Sequence, residues 1–325
     1  MALWHSSTYH SFPSEDRALF DEFFSSYLQA LEGKGLNPEE YAHYPKTLLE
    51  MIAEQVKNPF SFTIYHERIL EPFNYYQWGL DFFRPLIDFQ QSKLLGEENL
   101  QTIERQRLAG ENIILLANHQ SELDPQVLSL LLEKKFPAFA EEMIFVAGHR
   151  VVTDPVAVPF SKGRNLLCIY SKRHVDHPPE RRAEKLQHNQ RTMKKMVELL
   201  NEGGRVIYVA PSGGRDRADE KGEYHVTPFN PQSLSMFLLM TQQSKRPCHF
   251  YPLALLSYPL LPPPAGIKKE LGERRQTQAT PIHAAFGEEV FLESLSQDLP
   301  KKARRQAITE KAWNLVKTYY QRLQS

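Results

Sequence analysis

The chain has 325 residues, and its 39 lysines and arginines balance 39 aspartates and glutamates, so the formal net charge at pH 7 is zero. At roughly 150 residues per domain, this length favours two domains or one large domain with an appendage. The charge balance argues against a nucleic-acid-binding protein, which would carry a basic excess or a basic tail. With 41% hydrophobic and 11% aromatic residues, a chain of this length can bury a sizeable core, so disorder is not expected.

The cysteines and the apolar segments indicate where in the cell the protein is expected. Cys168 and Cys248 stand apart in apolar stretches, which indicates buried thiols in a reducing compartment rather than a disulfide framework. The first 16 residues lack a basic segment followed by an apolar one, so no signal peptide is predicted. The most apolar stretch, residues 249–266, contains five prolines and cannot form a spanning helix. We therefore expect a soluble, cytoplasmic protein with no transmembrane segment and at most peripheral membrane contact.

The first 110 residues or so have a helical pattern. Residues 14–31 carry an apolar stripe at helical spacing, with Ser14 as the expected N-cap and a glycine pair after the stripe. A second helix is predicted over residues 38–56, where Asn58-Pro59 follows. We place a small helical bundle domain at residues 1–75 and the rest of the chain, 76–325, in a second domain.

From residue 111 the pattern changes to short apolar runs that alternate with helical stretches. Strands are predicted at residues 113–117, 143–147, 166–170, 206–210 and 250–256. Helices are predicted at residues 125–135, 180–202, 231–243 and 302–322. This alternation predicts an α/β fold with a mostly parallel mixed sheet flanked by helices, preceded by the small N-terminal helical bundle. In such sheets ligands bind where strands end and loops begin.

The first candidate site follows the strand at 113–117. His119 and Asp124 are five residues apart, about 140° round a continuous helix, but a strand–turn–helix junction can bring them together. A carboxylate that orients an imidazole leaves its other nitrogen to accept a proton. Alternatively, Asp124 only caps the helix that begins at Pro125. Ser121 raises the competing idea of a Ser/His/Asp nucleophile, but the chain has no G-x-S-x-G elbow, so we expect Ser121 to shape the turn.

Basic residues surround the strand at 166–170. Lys162 and Arg164 precede it, and Lys172, Arg173 and His174 follow it directly. A His-x-x-His pair begins at His174, but no third ligand is close in sequence, so no metal site is predicted.

A glycine–arginine loop follows the strand at 206–210. The glycines at 213–214 permit close backbone approach to a ligand, and Arg215 and Arg217 form a pair suited to a phosphate. The alternative is that these arginines, with Asp216 and Asp219, are a solvated charge cluster. Because the base candidate and both basic clusters lie beside strands of one sheet, together they predict a pocket for a small phosphorylated alcohol whose hydroxyl is deprotonated.

Five sequence stretches resemble a known family. The stretch NHQSELDP resembles the N-H-x-x-x-x-D signature of glycerolipid acyltransferases. FRPLIDF, RVVTDPVAVPFSKGRNLLCIYSKRH, APSGGRDR and FYPLALL, in this order between about residues 70 and 260, resemble the soluble glycerol-3-phosphate 1-acyltransferases of plant chloroplasts and chlamydial bacteria. The region before residue 70 matches less clearly.

The resemblance implies transfer of an acyl group from a thioester, on acyl carrier protein or coenzyme A, to the sn-1 hydroxyl of glycerol 3-phosphate. It implies no metal and no resident cofactor. By motif it assigns His119 as general base with Asp124 as its partner, and a phosphate site lined by Arg173, His174, Arg215 and Arg217. Arg173 departs from the plant enzymes, which usually have lysine there, so its contact to phosphate is expected to differ.

Two alternatives remain open from the sequence. One is acylation of lysophosphatidic acid, and the other is a non-catalytic module that binds a phosphorylated metabolite or acyl carrier protein. Acyl carrier protein is acidic, so its docking surface would be basic. The candidates for that surface are Lys162, Lys172, Lys268, Lys269, Arg274 and Arg275.

Overall fold

Eight strands form one sheet in the described part of this computed structural model, which comprises residues 2–264, 272–292 and 298–325, without the side chains of residues 2, 3, 172 and 173. The strands are β1 (Tyr65–His66), β2 (Lys93–Leu95), β3 (Asn112–Ala117), β4 (Ile144–Gly148), β5 (Asn165–Ile169), β6 (Val206–Val209), β7 (Cys248–Leu256) and β8 (His283–Phe286). Their order is β1-β5-β4-β6-β3-β7-β8-β2.

The sheet is mixed and mostly parallel. The central strands β5, β4, β6, β3 and β7 run parallel to one another, and β2 runs parallel to β8. Only β1 against β5 and β8 against β7 pair in the antiparallel sense among the described strands. The predicted α/β fold with a mostly parallel mixed sheet is confirmed. All five predicted strands occur, within two residues of the expected bounds, as β3 to β7.

Thirteen α-helices accompany the sheet in the described residues. They are α1 (Ser7–His10), α2 (Ser14–Gly33), α3 (Pro38–Tyr41), α4 (His43–Lys57), α5 (Tyr75–Phe83), α6 (Glu97–Leu108), α7 (Asp124–Leu132), α8 (Pro137–Glu142), α9 (Val158–Lys162), α10 (Lys172–Val175), α11 (Arg182–Glu202), α12 (Pro231–Gln242) and α13 (Lys301–Gln324). The helix expected over 38–56 is two helices, separated at Ala42. The expectation for Ser14 was wrong: Pro13 is the N-cap residue, and Ser14 is the first helical residue.

Helices cover both faces of the sheet because strand side chains alternate between the faces. On one face, Phe145, Leu166 and Tyr208 pack in a core with residues of α6, α7 and α8. On the other, Leu167 and Ile207 pack with residues of α11, α12 and α13. Among the described residues, no helix combines the length and the hydropathy that a bilayer-spanning segment requires.

The N-terminal helices pack over α7 and α9. Residues of α2, α4 and α5 share one apolar core with Val127 of α7 and Phe160 of α9. The Tyr27 hydroxyl of α2 donates to the carbonyl oxygen of Phe82 in α5 at 2.9 Å, which ties the first helices to α5. The predicted N-terminal helical layer is therefore present. The division into domains 1–75 and 76–325 stays a prediction.

Candidate active site

The site begins where β3 ends and the chain turns into α7. Asn118, the first residue after β3, donates from Nδ2 to the Leu255 carbonyl at 3.0 Å and accepts at Oδ1 from the Leu255 N–H at 2.8 Å. The pairing of β3 with β7 ends at Ala117, and these two bonds satisfy the backbone N–H and C=O of Leu255 beyond that point. They therefore fix the start of the turn. His119 therefore leaves the carboxyl edge of the sheet in a defined direction.

His119 and Asp124 meet across the turn. The His119 Nδ1 atom lies 2.7 Å from the Asp124 Oδ2 atom. Asp124 is fully buried, and its carboxylate also accepts from the Gln120 N–H at 2.9 Å, the Ser121 N–H at 3.1 Å and the Ser257 hydroxyl at 2.7 Å. The Asp124 carboxylate accepts the hydrogen that His119 carries on Nδ1 and so fixes the tautomer of the ring. The Nε2 lone pair of His119 then faces outward as a proton acceptor.

The alternative that Asp124 is only a helix cap is not supported. Helix α7 begins at Asp124 itself, its N-cap residue is Leu123, and no side-chain cap bond is made. Ser121 is fully buried; its hydroxyl donates to the Leu261 carbonyl at 3.2 Å and accepts from the Leu123 N–H at 3.2 Å. Ser121 therefore shapes the turn, as expected from the sequence.

The glycine–arginine loop after β6 packs against this turn. The Asp216 N–H donates to the His119 carbonyl, and the fully buried Asp216 carboxylate accepts from Asn118 Nδ2 at 2.9 Å and from the Thr227 N–H at 2.8 Å. Burial raises the pKa of Asp216 despite these two donors. The alternative of a solvated loop tip was wrong for Asp216 and for Arg215, whose side chain is only 13% exposed; it holds for the exposed Asp219.

Three arginines and three carboxylates form an ionic cluster beside the turn. We define this cluster as Glu122, Asp154 and Glu273 with Arg150, Arg215 and Arg275. Its ion pairs link Glu273 with Arg215 at 2.6 Å and with Arg150 at 3.1 Å, and Arg275 with Asp154 at 3.2 Å and with Glu122.

The ionic cluster keeps Glu122 charged although it is largely buried. Burial alone would raise the pKa of the Glu122 carboxyl, but Arg275, Arg215 and Arg150 outweigh it and hold that pKa below its ordinary value. The same attraction outweighs the effect of burial on Arg275 and raises its pKa. The cluster therefore matches three acidic side chains with three basic ones, and its arginines favour the charged form of Glu122.

The remaining predicted phosphate residues lie in two places. Arg217 follows the buried Asp216 and donates from Nη1 to the Pro264 carbonyl. His174 lies in α10, close enough to His149 that, after burial, it is the next largest cause that lowers the pKa of His149, to about 4. The backbone of Arg173 is part of α10, but its side chain lies outside the described residues.

An apolar cavity opens at His119 and extends beneath α7. It encloses about 770 Å³ of space free of atoms, including its open mouth. Its walls are mostly apolar and aromatic side chains from α2, α5, α9 and the covered face of the sheet; among them are Phe23, Phe83, Phe145, Val156 and Phe160. The apolar lining suits a hydrocarbon chain.

Four residues of the site were not identified from the sequence. Glu273 and Ser257 reach the site from far along the chain; Ser257 lies 133 residues from Asp124. Glu122 and Arg150 fall inside the stretches that carry the resemblance, so inspection of every charged residue in those stretches would have found them.

One group of potential metal ligands occurs in the described residues. Asp219, Glu223 and His225 place their ligand atoms within 4.8 Å of one another, and all three are exposed. His225 Nε2 lies 3.0 Å from Asp219 Oδ2, an ordinary surface contact. Exposed acidic groups commonly stand together without an ion, so we assign no metal there.

Comparisons with known proteins agree on an acyltransferase. Residues 92–256 match the family model named Acyltransferase. The chloroplastic glycerol-3-phosphate acyltransferases of Spinacia oleracea, Cucurbita moschata and Arabidopsis thaliana are 45%, 40% and 36% identical over 229, 288 and 318 residues. These matches cover 70%, 87% and 96% of this chain but 48%, 64% and 69% of the relatives, so the chain spans about half to two-thirds of their length.

A solved structure, the 1-acyl-sn-glycerophosphate acyltransferase PlsC from Thermotoga maritima, aligns over 95% of this chain and 94% of its own. The alignment has a TM-score of 0.45 and 16% sequence identity. The family model covers half of the chain, and its range contains both His119 and Asp124. The chain belongs to the acyltransferase family.

Proposed function

We propose that this chain transfers an acyl group from a thioester to the sn-1 hydroxyl of glycerol 3-phosphate, which yields lysophosphatidic acid. One observation carries the proposal: the His119–Asp124 pair stands between a cluster of arginines and an apolar cavity. Such a site offers a base, a place for an anionic group and a place for a hydrocarbon chain. The relatives named as glycerol-3-phosphate acyltransferases support this choice of substrate.

The proposed reaction uses His119 first as base and then as acid. Nε2 takes the proton of the sn-1 hydroxyl while that oxygen attacks the thioester carbonyl carbon. Asp124 stabilises the imidazolium that forms, because its buried carboxylate lies 2.7 Å from Nδ1. When the tetrahedral intermediate collapses, the carbon–sulfur bond breaks, and the proton on Nε2 goes to the departing thiolate.

The oxyanion of the intermediate needs hydrogen-bond donors. The sequence offers two candidates, the amino end of α7 and the glycines at 213–214. The Gly213 N–H already donates to the Ala210 carbonyl at 3.1 Å within its own turn. Gln126, at the amino end of α7, lines the cavity and, unlike its neighbour Pro125, has a backbone N–H to donate. We therefore assign the oxyanion to the amino end of α7.

The substrate phosphate is assigned to the arginine side of the site. Arg215 and Arg217, with Arg173 and His174, are the residues that the family motif points to. Arg150 joins this set because it shares the Glu273 carboxylate with Arg215. A phosphate dianion would take the place of that carboxylate, because both anions accept charge-assisted hydrogen bonds from arginine.

The acyl donor is proposed to arrive on acyl carrier protein, with coenzyme A as the other carrier. Of the expected docking residues, Arg274 is exposed and suits an acidic partner. Arg275 was a wrong candidate, because it is buried and paired with Glu122 and Asp154. Lys268 and Lys269 lie outside the described residues. The cytoplasmic location stays a prediction, since the named relatives are chloroplastic.

The decisive experiment supplies glycerol 3-phosphate with palmitoyl-acyl carrier protein, and separately with palmitoyl-coenzyme A. We expect lysophosphatidic acid from the wild type. The His119→Ala variant should lose about 10²–10⁴-fold in kcat because the general base is gone. The exposed His225 provides the control, and His225→Ala should keep full activity.

Each other outcome selects a different function or base. No product with either donor would favour the non-catalytic binding module. Product from lysophosphatidic acid but not from glycerol 3-phosphate would favour the second acylation. Equal activity of the wild type and His119→Ala would retain the enzyme and reject His119 as its base.

A further inference from the structure

The apolar cavity has a charged side chain that the proposed chemistry does not use. Arg164 lines the cavity and is only 3% exposed. Its Nη1 atom donates to the Ser129 hydroxyl at 2.6 Å, and its guanidinium lies 4.7 Å from the centre of the Tyr76 ring. Its Nε and Nη2 atoms are buried with no hydrogen-bond partner in the described part of the chain, where no carboxylate forms an ion pair with it. Burial lowers the pKa of Arg164 to about 10.

A second unpaired polar group lies beside the same cavity. Gln126 lines it from α7, is 2% exposed, and its Oε1 atom is buried without a partner. The other side chains that line the cavity include Phe160, Val156 and Leu166. An apolar space with two unsatisfied polar side chains in its wall therefore has one region that repels hydrocarbon.

Sheet topology and helix α7 place this polar region below His119 in the cavity. His119 follows the carboxyl end of β3, whereas Arg164 precedes the amino end of β5. The two strands run in the same direction, so the residues lie at opposite edges of the sheet. From the amino end of β5 the Arg164 side chain reaches Ser129, which lies five residues along α7 from Asp124, or roughly 7.5 Å of helix. The cavity thus runs along the covered face of the sheet, from the reacting histidine to the buried arginine.

We propose that Arg164, with Gln126 one helical turn above it, forms a polar floor that sets the longest acyl chain the enzyme accepts. This inference rests on the proposed function, because it assigns the cavity to the acyl chain. A terminal methyl group that reached the floor would keep water away from the Nε and Nη2 atoms of Arg164 and leave their N–H groups unpaired, which is costly. Chains that end above the floor avoid that cost and still bury their methylene groups.

The test measures kcat/KM for acyl-carrier-protein donors of even length from 12 to 20 carbons. We expect a steep fall beyond one length in the wild type. Arg164→Met and Gln126→Leu each keep the approximate volume and remove the polar atoms. In both, the ratio of kcat/KM for the first rejected length to that for the preferred length should rise about tenfold or more.

Three variants make the result specific. Arg164→Lys keeps a cation at the floor and should retain the wild-type length limit. Arg68→Met is the matched control, because Arg68 is a neighbouring arginine that does not line the cavity, and it should also retain the limit. Gln126→Leu carries the test by itself if Arg164→Met fails to fold.

The measurements distinguish failure of the proposed function from failure of the polar floor. If the wild type forms no acyl product, the proposed function fails. If the wild type is active, and Gln126→Leu and any folded Arg164→Met variant keep its chain-length profile, the polar floor is wrong. A shift of equal size in Arg68→Met would also overturn it, since the effect would then be general.

Discussion

Buried arginines at the two ends of the site have different partners. At the carboxyl edge of the sheet, Arg150, Arg215 and Arg275 share three carboxylates. At the other end of the cavity, Arg164 has a serine hydroxyl and a tyrosine ring but no carboxylate among the described residues. Both environments exclude much of the solvent, so the contrast lies in the partners and not in exposure.

The difference shows what each end can do with a ligand. Arginines that are paired with a carboxylate are already positioned to donate to an anion, and a phosphate takes the same kind of charge-assisted hydrogen bonds. An unpaired arginine in an apolar wall gains nothing from a hydrocarbon chain and resists its approach. One end is therefore suited to bind a charged group, and the other to exclude an uncharged one.

We call the end of the cavity where arginines pair with carboxylates the paired end. The largest expected effect there comes from Arg215→Ala. A charged hydrogen-bonding group contributes about 1.5–3 kcal/mol, so KM for glycerol 3-phosphate should rise roughly ten- to a hundredfold while kcat changes little. Steady-state kinetics with varied glycerol 3-phosphate measure both. Arg274→Ala, on the exposed surface, is the control and should leave KM for glycerol 3-phosphate unchanged. A fall in kcat without a rise in KM would show that Arg215 does not hold the phosphate.

The paired end was only partly predictable from the sequence. The turn that contains His119 and Asp124 follows a fully buried six-residue strand, and the resemblance covers both residues, so their meeting was expected. Arg215 was expected from its glycine neighbours. Glu273 was not, because nothing in the local sequence says that residues 58 positions apart will pair. Contacts of that range depend on how the loops pack, which local patterns do not encode.

The strands were likewise predictable only where the local sequence pattern was long enough. Strands β3 to β7 were predicted because each is an apolar run between helical stretches. Strands β1, β2 and β8 were not predicted; β1 and β2 have only two and three residues, which are too few to show a strand period. Arg164 was identified as a basic residue before a strand, but its burial was not foreseen, since arginine is rarely fully buried without a partner.

The next prediction concerns the stability that the ionic cluster gives. Glu122→Gln should lower the free energy of unfolding at pH 7 by about 1–3 kcal/mol, since Arg275 loses a charged partner in a buried setting. Because the folded state holds the pKa of Glu122 below its ordinary 4.5, its contribution is complete above that value and disappears as the pH falls through the lowered one. The wild type should therefore lose stability below pH 4.5 more steeply than the variant.

Denaturant unfolding between pH 3 and 7 measures this difference. Glu97→Gln is the control, because Glu97 pairs with Lys135 on the surface and should contribute at most about 1 kcal/mol. Parallel pH profiles for the wild type and Glu122→Gln would contradict the assignment, and would mean that another carboxylate governs the acid transition.

The smallest expected effect tests whether the substrate phosphate can displace the Glu273 carboxylate at the paired end. Glu273→Gln removes the negative charge that occupies Arg150 and Arg215 while it keeps the shape of the side chain. If the carboxylate competes with the substrate phosphate, KM for glycerol 3-phosphate should fall about threefold to tenfold, the equivalent of one net hydrogen bond. If Glu273 instead holds the arginines in place, KM should rise. A lower KM, with the acyl chain-length limit unchanged, would show that the two ends of the cavity act independently, since the carboxylate at one end does not touch the arginine at the other.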